Sequence, residues 1–155
     1  MRRLTFERDI AAPADQVWAI LTDVERYARR FVKVDSAELR TEGPLRVGTR
    51  WQETRKVFGR SITVENRVNE CEPGRRYVTE AHVGAWATTE FVLTPSADRS
   101  HTSVRVTFQT RGGSLGYRLA AYLNRRRIRE CVIENNTQDL VDLARACEPQ
   151  IAPDR

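Results

Sequence analysis

Three side chains at alternate positions, Trp51, Glu53 and Arg55, are the residues of this chain best suited to chemistry. Alternation places them on one face of a predicted strand, together with Val57, and the apolar members indicate that this face points inward. An inward carboxylate could move a proton and an inward guanidinium could polarise a carbonyl group, but two buried charges need partners. If the strand bulges by one residue, both charges point outward instead. The sequence leaves these alternatives open.

Polar residues also interrupt two other apolar patterns. Asn66 lies on the apolar face of the following strand, where it is either a satisfied structural amide or a ligand contact. In the last third of the chain, a helical stripe that is apolar at both ends contains Arg126 and Glu130 in its middle. These i,i+4 neighbours either pair in solvent or form a polar patch in a ligand cavity.

Other catalytic or metal chemistry lacks the residues that it needs. His82 and His101 are the only histidines, and Cys71, Cys131 and Cys147 form no closely spaced pair. The sequence therefore indicates neither a zinc cluster nor a disulfide framework. We predict no metal site, no cofactor and no assignable catalytic residue.

The elements that must position these residues change character near Thr110. Before it, apolar residues alternate in short runs that predict strands over residues 4–10, 34–40, 47–57, 61–71, 76–83, 86–94 and 102–110. Two short helices, through residues 17–21 and 24–27, follow the first strand. From 114 to 147 the spacing predicts one uninterrupted helix of roughly 50 Å. This α+β pattern indicates a curved antiparallel sheet closed over a helix, and we expect a ligand site between the two layers.

Composition limits the organisation and the partners. A chain of 155 residues with 40% hydrophobic content fits one domain, 1–148, followed by a short tail, 149–155. The net charge is +5, but the basic residues, arginines except for Lys33 and Lys56, are scattered, so we predict no nucleic-acid partner. No apolar run is long enough for a membrane span and the amino terminus lacks a secretory core. We predict a cytoplasmic protein without stable membrane insertion.

Local phrases in the chain point to a family. They are the segments 11–18 (Ala-Ala-Pro-Ala-Asp-Gln-Val-Trp), 21–23 (Leu-Thr-Asp), 47–51 (Val-Gly-Thr-Arg-Trp) and 72–76 (Glu-Pro-Gly-Arg-Arg). With the order of elements, they make the chain similar to the START-like, or SRPBCC, superfamily of helix-grip proteins, and within it to the polyketide cyclase/dehydrase-like group. The resemblance implies seven antiparallel strands gripping the C-terminal helix, two small helices closing one end, and a hydrophobic cavity.

The resemblance also implies a range of functions, because members bind or carry lipids, sterols and polyketides, and some fold and dehydrate polyketide chains. Fold alone does not decide among these functions. We predict binding, or transport, of a small hydrophobic or amphipathic molecule such as a lipid or polyketide. The predicted ligand-binding residues are Trp51, Glu53, Arg55, Asn66, Trp86, Phe91, Phe108, Tyr122, Leu123 and Arg126.

Two alternatives remain. One is an enzyme of the polyketide cyclase, aromatase or dehydratase type, in which an inward Arg or Tyr would polarise a carbonyl and Glu53 would move a proton. The other is a protein-interaction module that docks a partner, including a second copy of itself, through the long helix or an exposed sheet edge.

Overall fold

One antiparallel sheet dominates the fold. The computed structural model describes residues 3–148, and the predicted tail, 149–155, lies outside the described residues. Within that range seven strands pair in the order β1-β7-β6-β5-β4-β3-β2. They are β1 (Leu4–Ile10), β2 (Val34–Leu39), β3 (Arg50–Val57), β4 (Arg60–Glu72), β5 (Arg76–His82), β6 (Trp86–Pro95) and β7 (Thr102–Arg111). All neighbouring strands are antiparallel, and the pairing of β1 with β7 places the two ends of the strand series side by side.

The helices lie where the chain pattern places them, in two groups. After β1 come α1 (Ala14–Leu21), a single 3-10 turn (Val24–Arg26) and α2 (Tyr27–Arg30), and after β7 come α3 (Leu115–Leu123) and α4 (Arg125–Cys147). The α+β helix-grip prediction is confirmed. In the described part of the chain, no helix combines the length and apolar character that crossing a membrane requires.

The prediction of one uninterrupted helix over 114–147 was wrong at Asn124. This residue has φ −103° and ψ 12° and separates α3 from α4. Its Nδ2 donates to the Ala120 carbonyl oxygen at 2.8 Å, and its backbone N–H donates to the same oxygen at 3.0 Å. An asparagine side chain that bonds to nearby backbone competes with regular helix geometry. Apolar periodicity does not report this local competition.

The inward direction of Glu53 and Arg55 follows from the register of β3. Residues Arg50 to Val57 pair with β4 without a shift, and the irregularities occur in β2, between Val34 and Ser36, and in β4 after Val68. The bulge that would have turned the β3 charges outward is therefore absent from β3. β3 begins at Arg50 rather than at residue 47, because Gly48 adopts φ +92° in the preceding turn.

The hydrophobic core occupies only one end of the space between the sheet and the helices. There α1 and the C-terminal half of α4 pack on the sheet through buried residues that include Val17, Leu21, Val104, Leu140 and Leu143. At the other end, α3 contributes no buried residue. The part of the sheet beneath α3 and the start of α4 therefore lacks a packed apolar layer.

Candidate functional site

A cavity of about 1220 Å³ lies between the inner face of the sheet and helices α3 and α4. Small-molecule sites in proteins commonly measure roughly 300–1,000 Å³, so this volume is sufficient for a ligand. The sheet wall is formed by inward side chains of β3 to β7, which include Trp51, Val64, Tyr77, Thr89, Phe91, Val106 and Phe108. The protein's own side chains leave this interior unfilled, as a ligand-binding role requires.

Most of the residues predicted from sequence to bind a ligand lie on the wall of this one cavity. They are Trp51, Glu53, Arg55, Asn66, Phe91, Phe108, Tyr122 and Arg126. Their common placement follows from the register, which pairs Trp51 with Asn66 and places their side chains on the same face. Their contact with a ligand remains a prediction.

Trp86 and Leu123 lie outside the lining. On β6, Ala87, Thr89 and Phe91 face the cavity, so strand alternation turns Trp86 to the opposite face, where its ring meets His82 at 5.0 Å between centroids. Leu123 is 69% exposed on the outer side of α3. Strand parity already excludes Trp86 and Phe91 from sharing one face, and this was the signal available in the sequence.

A chain of charged contacts forms the polar part of the cavity wall. Arg55 Nε donates to Glu53 Oε1, and Arg55 Nη2 donates to Asp139 Oδ2 at 2.7 Å. The second carboxylate oxygen of Glu53 accepts from Trp51 Nε1 at 2.9 Å. Both oxygens of Glu53 are therefore engaged in holding neighbouring side chains, and the Arg55–Asp139 pair joins β3 to α4.

The electrostatics of this cluster separate the two acidic residues by role. Burial raises the pKa of Asp139 to about 6, and Arg55 counteracts only part of this effect. For Arg55, burial disfavours the charge, but Asp139 and Glu53 outweigh burial and raise the pKa of the guanidinium. A carboxyl group with a pKa near 6 can take up and release protons near neutral pH, here beside a permanent cation.

Two buried acceptors on α4 lack a hydrogen-bond partner within residues 3–148. They are Asn135 Oδ1 and Asp139 Oδ1, and both residues line the cavity. The orientation of Asn135 is set by its Nδ2, which donates to the Cys131 carbonyl oxygen at 2.9 Å. An unsatisfied buried polar atom costs about 1–3 kcal/mol. A hydrogen-bond donor on a ligand could remove part of this cost.

Asp139 and Asn135 are the site residues that sequence reasoning missed. Projection of the C-terminal third as one helix selected a stripe through Ile133 and Asn136, whereas the cavity face of α4 follows Val132, Asn135 and Asp139. A signal was present, because Asn135, Asp139 and Leu143 follow one another at intervals of four residues. The amide and the carboxylate in that row resembled an ordinary polar helix surface.

Arginines and a clamped tyrosine surround the exposed end of the cavity. A Cβ atom added to Gly84 or Gly113 would come within 2.5 Å or 2.7 Å of the Tyr117 ring, so these two glycines let the ring settle between their loops. Nearby, Arg126 Nε pairs with Glu130 Oε1 at 3.0 Å, with both side chains largely exposed. The charged middle of the predicted stripe therefore lies at the rim of the cavity, in solvent.

The sequence was compared with family models once this geometry was established. The model described as "Polyketide cyclase / dehydrase and lipid transport" matches residues 1–141. The chain belongs to this family. No protein with a curated description matches it significantly. The resemblance noted from the local sequence phrases is thus confirmed at the level of the family.

Solved structures share the fold of this polyketide cyclase/dehydrase and lipid transport family member. The Zhui aromatase/cyclase from Streptomyces sp. R1128 aligns with a TM-score of 0.79 and 22% identity, covering 98% of this chain and 96% of that one. The protein TTHA0849 from Thermus thermophilus gives 0.79 and 19%, over 94% and 97%. The di-domain ARO/CYC BexL from the BE-7585A biosynthetic pathway gives 0.71 and 19%, over 96% of this chain and 51% of BexL. At these identities the likeness concerns the fold.

Proposed function

We propose that this protein binds a small hydrophobic or amphipathic molecule, such as a lipid or a polyketide, inside the cavity. The observation that carries the proposal is the volume of about 1220 Å³ left open beside a packed core. An aromatic and aliphatic wall supplies the apolar contacts, and a small group of polar side chains supplies orientation, which is the usual composition of a ligand site.

The polar cluster supports a particular orientation of the ligand. In the described part of the chain, Arg55 donates through Nε and Nη2 but makes no hydrogen bond through Nη1. A carbonyl or hydroxyl oxygen of the ligand would accept from that group, while a hydroxyl hydrogen would satisfy Asp139 Oδ1 or Asn135 Oδ1. We therefore favour a ligand with an oxygenated end at this cluster and an apolar body along Phe91 and Phe108.

Adjacent threonines on β6 give a matched test. Thr89 lines the cavity, between Thr79 and Phe108 in the sheet, whereas Thr88 faces the other side, between Glu80 and Gln109. Tryptophan at position 89 occupies cavity volume, and tryptophan at position 88 does not. We expect Thr89→Trp to weaken binding at least tenfold and Thr88→Trp to leave it within about twofold, where tenfold corresponds to about 1.4 kcal/mol.

The assay combines native mass spectrometry of the purified protein with thermal shifts across fatty acids, sterols and aromatic polyketides. A co-purifying molecule, or a shift that Thr89→Trp removes and Thr88→Trp keeps, supports the proposal. Empty protein with no shift across the panel contradicts it. Equal binding by both variants would place the ligand outside the cavity.

A second candidate function is an enzyme of the cyclase, aromatase or dehydratase type acting on a ligand in the same cavity. The observation that favours it is an acid with a pKa of about 6 at 2.7 Å from a fixed guanidinium. Arg55 would stabilise negative charge on a carbonyl oxygen, and Asp139 would remove a proton from the adjacent carbon. Because both Glu53 oxygens are engaged, we assign proton transfer to Asp139 instead of Glu53.

Turnover separates this candidate from simple binding. A synthetic poly-β-ketone thioester would be incubated with the wild type and with Asp139→Asn, and cyclised or dehydrated products would be followed by mass spectrometry. An enzyme predicts product with the wild type, loss of product with Asp139→Asn despite retained binding, and a rate limb near pH 6. Binding without product in either protein would eliminate the catalytic role for this substrate class.

A further inference from the structure

The outer face of α3 carries an exposed apolar row that the cavity does not use. Leu115, Leu119 and Leu123 are 82%, 60% and 69% exposed, and α3 has no buried residue. They follow one another at intervals of four, so they form a continuous row along one side of the helix. Contiguous exposed leucines are unusual on the surface of a globular domain and mark an interaction site.

The same helix faces two environments. Tyr117 and Ala121 line the cavity from its inner side, while the leucine row points away from the cavity. Tyr122 lies between these two faces and is itself largely exposed. Whatever contacts the leucine row therefore sits directly outside the wall through which a guest would reach the interior.

Positive charge surrounds this row. Residues 111–129 contain six arginines and no aspartate or glutamate. Arg111 pairs with Glu80 and Arg126 with Glu130, and the remaining four, Arg118, Arg125, Arg127 and Arg129, form no ion pair with any residue in 3–148. The apolar row and the arginines together match an amphipathic helix that lies in the interface of an anionic bilayer.

We propose that α3, with the arginines at its end, is a docking surface for an anionic lipid bilayer. Leucine side chains enter the acyl region at shallow depth, and the arginines bind lipid phosphates. An acidic protein surface would match the charge but would leave the leucine row without the hydrocarbon that its exposure calls for. Docking is peripheral, and it goes beyond the cavity function because it requires no ligand in the interior.

Vesicle sedimentation tests the proposal with the full chain. The lipids are phosphatidylcholine alone and phosphatidylcholine mixed with phosphatidylglycerol. We expect binding to the mixed vesicles, little binding to the neutral ones, and release by high salt, because salt screens the arginine contacts. Absence of binding to mixed vesicles, or equal binding to both kinds, would overturn the proposal.

Two pairs of exposed aliphatic residues give matched variants. The double substitution Leu119→Ser/Leu123→Ser removes side chains that are 60% and 69% exposed, and the control Val32→Ser/Val47→Ser removes side chains that are 64% and 57% exposed elsewhere. We expect the leucine variant to lose at least roughly tenfold in partitioning and the valine control to bind like the wild type. Equal partitioning of the two variants would overturn the assignment of the surface.

Charge and self-association complete the test. Arg127→Gln should weaken partitioning about fivefold and Arg8→Gln, on β1, should not, since a juxtamembrane arginine contributes about that factor. Thermal melting confirms that each variant is folded. If the wild type dimerises in solution and Leu119→Ser/Leu123→Ser abolishes the dimer, a second copy covers the row and the lipid assignment falls.

Discussion

Substitution of Asp139 by Asn tests the electrostatics of the cavity wall most directly. In the folded protein, burial raises the pKa of this carboxyl from its ordinary value of 3.8 to about 6. A folded state that holds the proton more tightly than the unfolded state loses stability as pH rises through this interval, from about 4 to about 6. Asparagine resembles the protonated carboxyl and carries no such dependence.

The magnitude follows from the two pKa values. The interval from 3.8 to about 6 corresponds to at most about 3 kcal/mol, at 1.36 kcal/mol for each pH unit. Because the side chain retains 26% of its exposure, toward the cavity, we expect about 1–3 kcal/mol. The pair with Arg55 is included in this figure, since the pKa is the net result of burial and attraction. Asp139→Asn should therefore match the wild type near pH 4 and exceed it above pH 7.

The assay is the free energy of unfolding from denaturant titrations of wild type and Asp139→Asn between pH 4 and pH 8. Asp98→Asn is the control with the opposite sign. Hydrogen bonds from Ser96 and Ser100 lower the pKa of Asp98 to about 2, so its carboxylate stabilises the fold above pH 4 and this contribution is lost only below that pH. The Asp98→Asn difference should stay constant from pH 5 to pH 8. A constant Asp139→Asn difference over the same range would refute the argument.

Three further substitutions test packing and the charged contacts. Arg55→Ala leaves two acidic groups unpaired and should lower the unfolding free energy by about 3–5 kcal/mol, measured in urea at pH 7. Gly84→Ala should destabilise by more than about 1 kcal/mol, and by more than Gly59→Ala, because both have positive φ but only position 84 forces the Tyr117 ring to move; thermal melting of the pair compares them. Leu93→Ala, in the core and away from the cavity, should cost about 2–5 kcal/mol in the same urea assay without changing ligand binding.

Local patterns in the chain were sufficient for the architecture. Alternation of apolar residues identified each strand to within about three residues at either end, because a strand in this sheet has one face toward the interior and one toward solvent. The same parity put Trp51, Glu53 and Arg55 on one face. It also indicated that Asn66 shares that face, since a regular antiparallel pair keeps opposite residues on the same side.

Long-range contacts decided the chemistry of the site. Arg55 and Asp139 are 84 positions apart and meet only because α4 crosses the inner face of the sheet. Nothing in the immediate neighbourhood of Asp139 distinguishes it from a solvent-facing helix carboxylate. Its raised pKa arises from burial, which is a property of the assembled layers and not of the local sequence.

The sequence by itself determined the order of elements, the inward faces of the strands, and membership in a family of helix-grip proteins. Tertiary structure alone decided which end of the layered interior is filled, where the C-terminal helix is interrupted, and which acid faces the guanidinium. The reason is physical: periodicity follows from the local geometry of each segment, whereas packing, burial and pairing depend on distant segments that fold against it.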